Sequence, residues 1–188
     1  MTATQTKSTP VPTGAVQYTI DPAHASAQFK VRHLMIAWVR GKFEGVTGTV
    51  AFDPSNLDAS KIEARIEAKS VNSGVDARDE HLRSADFLDA ANFPSIEFRS
   101  TKIRAKGDDY FADGDLTIRG VTKPVTLAIE DISDEIKDPW GGVRRGATAT
   151  TKINRKDFGL TWNAALEAGG FAVGDEVAIT LELELIKN

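Results

Sequence analysis

Cysteine is absent from all 188 positions, which excludes disulfides, thiolate catalysis and sulfur-ligated metal. Histidine is scarce: His24, His33 and His81 are the only three. They fall at no short helical or hairpin spacing, so a histidine-built metal site is not expected. No stretch reaches the roughly 18 consecutive apolar residues of a membrane-spanning helix. A basic excess is missing as well. The 23 Lys and Arg against 27 Asp and Glu give a net charge of -4, spread along the chain, so nucleic acid is not an expected partner. Walker loops, nucleophile elbows and paired His-Glu motifs are absent, and nothing organises the serines, histidines and carboxylates into a catalytic centre. An outer-membrane barrel would need an apolar exterior and aromatic girdles. With 7% aromatic and 27% charged residues, that form is excluded too.

Large apolar side chains are also missing from residues 1–16, MTATQTKSTPVPTGAV, where Thr, Pro and Ser cannot repay the entropy of ordering. A disordered leader is expected there. It has no basic start, apolar run or cleavage site of a signal peptide, and the expected location is cytoplasmic. Residues 17–188 have the length of one domain and contain no linker.

What is present is period-two alternation. In 177–185 the residues Val177, Ile179, Leu181, Leu183 and Leu185 alternate with Thr180, Glu182 and Glu184, the pattern of a strand with one dry and one wet face. Phe29, Val31 and His33 share a face, as do Ile62, Ala64, Ile66 and Ala68. Further runs occupy 48–52, 95–104, 110–119, 124–131 and 146–154. Turn residues separate them at 53–56, 106–109, 120–123 and 139–142. One segment differs: over 76–90, Leu82, Ala85 and Leu88 are spaced as in a helix, predicting one or two short helices capped by Asp76 or Ser84. About eight strands with one helical insertion predict an all-β antiparallel sheet, closed into a barrel that buries its dry face and removes its edges.

A barrel of this size is either filled by its own side chains or holds one small ligand. The inferred inner face carries Ala27, Ala64, Ala68, Ala112, Gly114, Ala147 and Ala149, small residues that favour a hollow interior. Alternation of small with large residues in a filled barrel is the other reading. The residues expected to line the interior are Phe29, Val31, His33, Phe43, Ile62 and Ala64 in the first half. Ile66, Phe98, Leu116, Ile118 and Leu127 follow, then Ala147, Ala149, Ile153, Ile179 and Leu181. His33, Arg78 and His81 are candidates to meet a ligand's polar head. Arg119, Lys123 and Arg155 read as structural, the last able to stack on Phe158 or Trp162.

Several separated motifs carry a resemblance. They are Ile20-Asp21 with His24-Ala25-Ser26, Phe29-Lys30-Val31-Arg32-His33-Leu34, Gly41-Lys42-Phe43, and the run from Arg78 through Asp79-Glu80-His81 to Phe87. Phe93-Pro94-Ser95-Ile96-Glu97-Phe98, Gly114-Asp115-Leu116 through Pro124, and Ile153-Asn154-Arg155 through Leu160 complete them. From Tyr18 onward the chain resembles the YceI family, lipocalin-like bacterial proteins described as polyisoprenoid-binding. Ala25 departs from the family pattern, which has serine directly after the first histidine. The resemblance implies an extended antiparallel barrel around an elongated apolar tunnel holding a long isoprenoid, often in a homodimer, with no cofactor. The expected activity is binding, storage or transport of that lipid. An enzyme modifying it through His33 or His81, and a filled-barrel protein-interaction module, are the alternatives.

Overall fold

A computed structural model describes residues 14–167 and 169–188. The expected leader lies outside the described residues up to position 13, and of its last residues Val16 already belongs to a strand. β1 (Val16–Ile20) and β2 (Ser26–His33) run one after the other along the same side of β11 (Val173–Lys187). β3 (Ala37–Glu44) pairs with β2, and β4 (Thr47–Phe52) pairs with β1. These four are thus two long strands, each broken once, at 21–25 and at 45–46. The ring continues through β5 (Lys61–Glu67), β6 (Ser95–Lys106), β7 (Asp109–Ile118), β8 (Val121–Glu130) and β10 (Val143–Asn154), each antiparallel to the last. β10 then pairs with β11 from Arg144–Ile186 to Asn154–Glu176, closing an eight-stranded antiparallel barrel. β9 (Ile136–Lys137) is a two-residue appendage on β10.

Alternation dictates what faces inward. On β11 the residues Val177, Ile179, Leu181, Leu183 and Leu185 all face the interior, as their spacing requires. β6 changes parity midway: a bulge between Ser100 and Lys102 inserts one residue, so the inward set passes from Ile96 and Phe98 to Ile103. Ser100 ends the first half, and its hydroxyl accepts the Ile62 N–H at 2.8 Å.

Three expectations change. β1, β3 and β9 are strands outside the alternating runs. The β7–β8 turn is Arg119-Gly120, both at positive φ (50° and 72°), and Val121 already begins β8. Only the first half of 76–90 is helical, as α1 (Asp76–Arg83). Neither Asp76 nor Ser84 caps its start; instead the buried Asp79 carboxylate accepts the Ser73 N–H at 2.8 Å and the Ser73 hydroxyl. The antiparallel order places loops 34–36, 68–94, 119–120 and 155–172 at one end of the barrel, the helix-bearing end, and loops 53–60, 107–108 and 131–142 at the other.

The break at 21–25 is held by charge. Asp21, 8% exposed, accepts from His24 Nδ1 at 2.9 Å, Arg144 Nη1 at 2.7 Å and the Ala23 N–H at 3.0 Å. Arg144 also reaches Asp138 at 2.7 Å and Glu184 at 2.6 Å. The His24 and Arg144 donors pull the Asp21 carboxyl from 3.8 to about 2, which contributes about 2 kcal/mol above both values and is lost as pH falls from about 4 to about 2. His24 moves the other way: Asp21, then Glu184, raise it above 6.5, so its contribution is complete below that value and fades as pH rises through the raised one. Asp21→Asn is therefore expected to cost most between these limits. Denaturant midpoints of wild type and variant should differ most between pH about 4 and about 6.5 and converge on the acid side.

Candidate functional site: an apolar lumen

A cavity of about 420 Å³ runs inside the barrel from Tyr18, Phe52 and Tyr110 at one end to His33, His81 and Trp162 at the helix-bearing end. Ligand pockets typically occupy roughly 300–1,000 Å³. The wall is built strand by strand: Phe29, Val31 and His33 from β2; Phe43 from β3; Ile62, Ala64 and Ile66 from β5; Phe98 from β6. Leu116 and Ile118 come from β7, Leu127 from β8, Ala147, Ala149 and Ile153 from β10, and Ile179 and Leu181 from β11.

The interior is hollow on one side and filled on the other. Phe98, Ile103, Leu116, Ile118 and Leu127 are buried against one another. Across the lumen Val177, Ile179, Leu181 and Leu183 point inward yet stay only half-buried, so open space faces them. The small residues divide accordingly. Ala27, Ala64, Ala147 and Ala149 line the cavity. Ala68 and Ala112 are buried in the core instead, and at Gly114 an added Cβ would sit 2.6 Å from the Phe98 ring and 2.5 Å from the Arg99 carbonyl oxygen. The large-against-small reading is thus correct for the β6–β7 wall.

At the helix-bearing end, the His81 ring meets Phe87 and Trp162 edge-on, with centroids 5.0 and 4.7 Å away. Its Nε2 lies 2.9 Å from an Asp86 oxygen. Arg78 donates to the Ser73 hydroxyl at 2.7 Å and carbonyl at 2.8 Å. Both line the cavity, with His33 exposed at the same rim. Arg155 is not stacked on Phe158 or Trp162. Buried to 4% exposure, it donates to the carbonyls of Leu160, Gly174 and Trp162 at 2.6, 2.8 and 2.9 Å, and burial lowers its pKa against the pull of Asp175. Arg119 donates to the carbonyls of Phe87 and Gly159, both at 3.2 Å. These two arginines hold the backbone that presents Trp162 and Phe87. Lys123 is exposed.

Sequence reasoning missed the other end. Tyr18 donates to Glu135 at 2.7 Å, and burial, then this bond, raises its pKa. Arg145 points in the same direction as Ala147 and lines the lumen. It donates to the Ser133 carbonyl at 2.8 Å, while its Nε is buried without a partner among the described residues. The parity of Ala147 and Ala149 extended back two residues would have found it. Outside it lies a rim of Asp108, Asp109, Glu130, Asp131, Asp134 and Glu135. Among the described residues one cluster, Asp21, His24 and Glu184, has metal-ligand chemistry. Arg144 already sits between its carboxylates, so a second cation would meet a guanidinium.

A closed antiparallel barrel with one helical insertion and an apolar lumen defines the lipocalin-like class of barrels. The YceI-like domain profile matches residues 18–185, and the chain belongs to the YceI family. It is 43% identical over 149 residues to Protein YceI of Salmonella newport, covering 78% of each chain. Its fold is similar to that of Burkholderia cenocepacia BcnA, with a TM-score of 0.75, 22% identity and 88% and 98% of the two chains covered. It is also similar to a polyisoprenoid binding domain from Saccharophagus degradans implicated in plant cell wall breakdown, with a TM-score of 0.62, 15% identity and 92% and 99% covered.

The filled wall should be intolerant of added volume. Gly114→Ala forces the methyl against ring and backbone together, and is expected to cost about 1–3 kcal/mol in denaturant unfolding.

Proposed function

We propose that this protein binds and carries one long isoprenoid lipid, the tail lying along the lumen and burial supplying affinity at about 25 cal/mol per Å² of apolar area. The observation that carries this reading is the row of inward aliphatic residues on β11 left half-buried beside a continuous apolar cavity. Family membership and the polyisoprenoid binding domain among the structural neighbours support it. His24 and His81 are engaged by Asp21 and Asp86. A cytoplasmic site of action and a homodimeric state belong to the same proposal, to be checked by fractionation and light scattering.

Native mass spectrometry of the freshly purified protein, followed by organic extraction, tests the proposal directly. A mass increment that extracts as an isoprenoid is expected, and a protein that neither carries one nor takes up solanesol would refute it.

Ala147→Trp places an indole in the open half, opposite Leu183. Solanesol affinity is expected to fall about tenfold or more while the apo denaturant midpoint holds, whereas a filled site would lose about 1–3 kcal/mol of stability.

The polar ring at the helix-bearing end is the proposed head-group contact. Replacing Arg78 and His81 together with alanine is expected to weaken a polyprenyl phosphate more than a polyprenol of equal length. Equal losses would assign both residues to folding.

A further inference from the structure

The β2–β3 hairpin carries an apolar tip that nothing in the fold covers. Met35 is 58% exposed, Ile36 80% and Trp38 40%, and Phe171 from the neighbouring loop is 54% exposed. The tip is also strained. Leu34 and Met35 both adopt positive φ, 50° and 62°, conformations that glycine and asparagine occupy at lower cost and that large side chains avoid. The turn is fixed in this shape by Ile36 N–H to the His33 carbonyl at 3.2 Å and Leu34 N–H to the Ala172 carbonyl at 2.8 Å. Strain that holds apolar side chains out in solvent offers the fold nothing in return.

Charge says what would cover it. Between Asp21 and Glu44 the chain has no acidic residue, yet it carries Lys30, Arg32, Arg40 and Lys42 in a protein of net charge -4. Lys30 and Arg32 lie over the Trp38 ring, 5.4 and 4.3 Å from its centroid. Lys30, Arg32 and Arg40 form no ion pair among the described residues. The loops at the opposite end, 53–60, 107–108 and 131–142, carry seven acids against the single base Lys137, with six carboxylates forming the rim around Arg145, whereas the loops of the helix-bearing end balance seven acids with six bases. Exposed aliphatics at the tip, a tryptophan one step back and unpaired cations beside it are the order in which a bilayer presents acyl chain, interface and anionic headgroup.

We propose that the hairpin 30–40, with Phe171, is a docking surface for anionic membrane, seating the helix-bearing end of the lumen on the bilayer. The acidic pole would then face away, and a lipid tail could pass between bilayer and barrel without crossing water. That purpose rests on the carrier reading; the surface itself does not.

Sedimentation of the full-length protein with vesicles of phosphatidylcholine alone, and of phosphatidylcholine mixed with phosphatidylglycerol, tests it. Binding to the mixed vesicles, weakened by salt, is expected. Ile36→Asp should reduce it about tenfold or more, and the pair Lys30→Glu with Arg40→Glu by about fivefold for each cation lost. None of these side chains lines the lumen, so solanesol uptake should persist in both variants. No binding to anionic vesicles, or equal binding by wild type and variants, would overturn the proposal. So would a dimer, seen by light scattering, that Ile36→Asp disperses in a protein that ignores vesicles, because the tip would then serve a second copy of the chain. Vesicle binding by a protein that cannot hold solanesol would support the surface and overturn the carrier reading.

Discussion

Everything in this molecule depends on the ladder between β10 and β11. Its register sets Ala147 against Leu183, Ala149 against Leu181 and Thr151 against Ile179, so one strand presents small side chains where its partner presents large ones. Closure leaves no sheet edge between them. The side chains then determine how much of the interior remains empty. Along β6 and β7 the opposite choice was made: Phe98 lies over Gly114, and the wall there is solid. The lumen is accordingly offset toward β2, β10 and β11.

The ends of the tunnel are built by different chemistry. At the helix-bearing end, aromatic rings are held by arginines that spend their donors on backbone carbonyls, so Arg119 and Arg155 shape the entrance without offering their charge to it. At the other end, Arg145 keeps an unpaired N–H next to the apolar wall, and carboxylates surround it outside. The break at 21–25 adds a third polar cluster, in which Arg144 is shared among Asp21, Asp138 and Glu184.

Much of this was legible in the sequence because a half-buried strand writes its two faces into alternate residues. The runs 177–185 and 62–66 needed nothing more. Where the reading failed, a local event had changed the count. β1 was cut at Ile20 by the loop that follows, leaving five residues beside a Pro- and Thr-rich leader. In β3 the outward Trp38 is apolar and the inward Gly41 is not, which hides the period. The second half of 76–90 has helical spacing, yet Ser84 is extended at ψ 173° and ends the helix, and the residues after it form turns, with Asp89 at a φ of 47°. Arg145 escaped notice since a charge at an inward position contradicts the pattern used to find it. Motifs covered what alternation could not, placing Arg78 and His81 on the insertion though not their engagement by Ser73 and Asp86.

The extra residue in β6 bears on how relatives of this chain should be aligned. Because it reverses which face every later side chain occupies, two homologues that differ only in possessing the bulge would share the same inward set at positions one residue apart. Matching them by count would set Lys102 or Arg104 against an interior isoleucine and suggest an inward charge on β6 where there is none. Matching them by face preserves the wall.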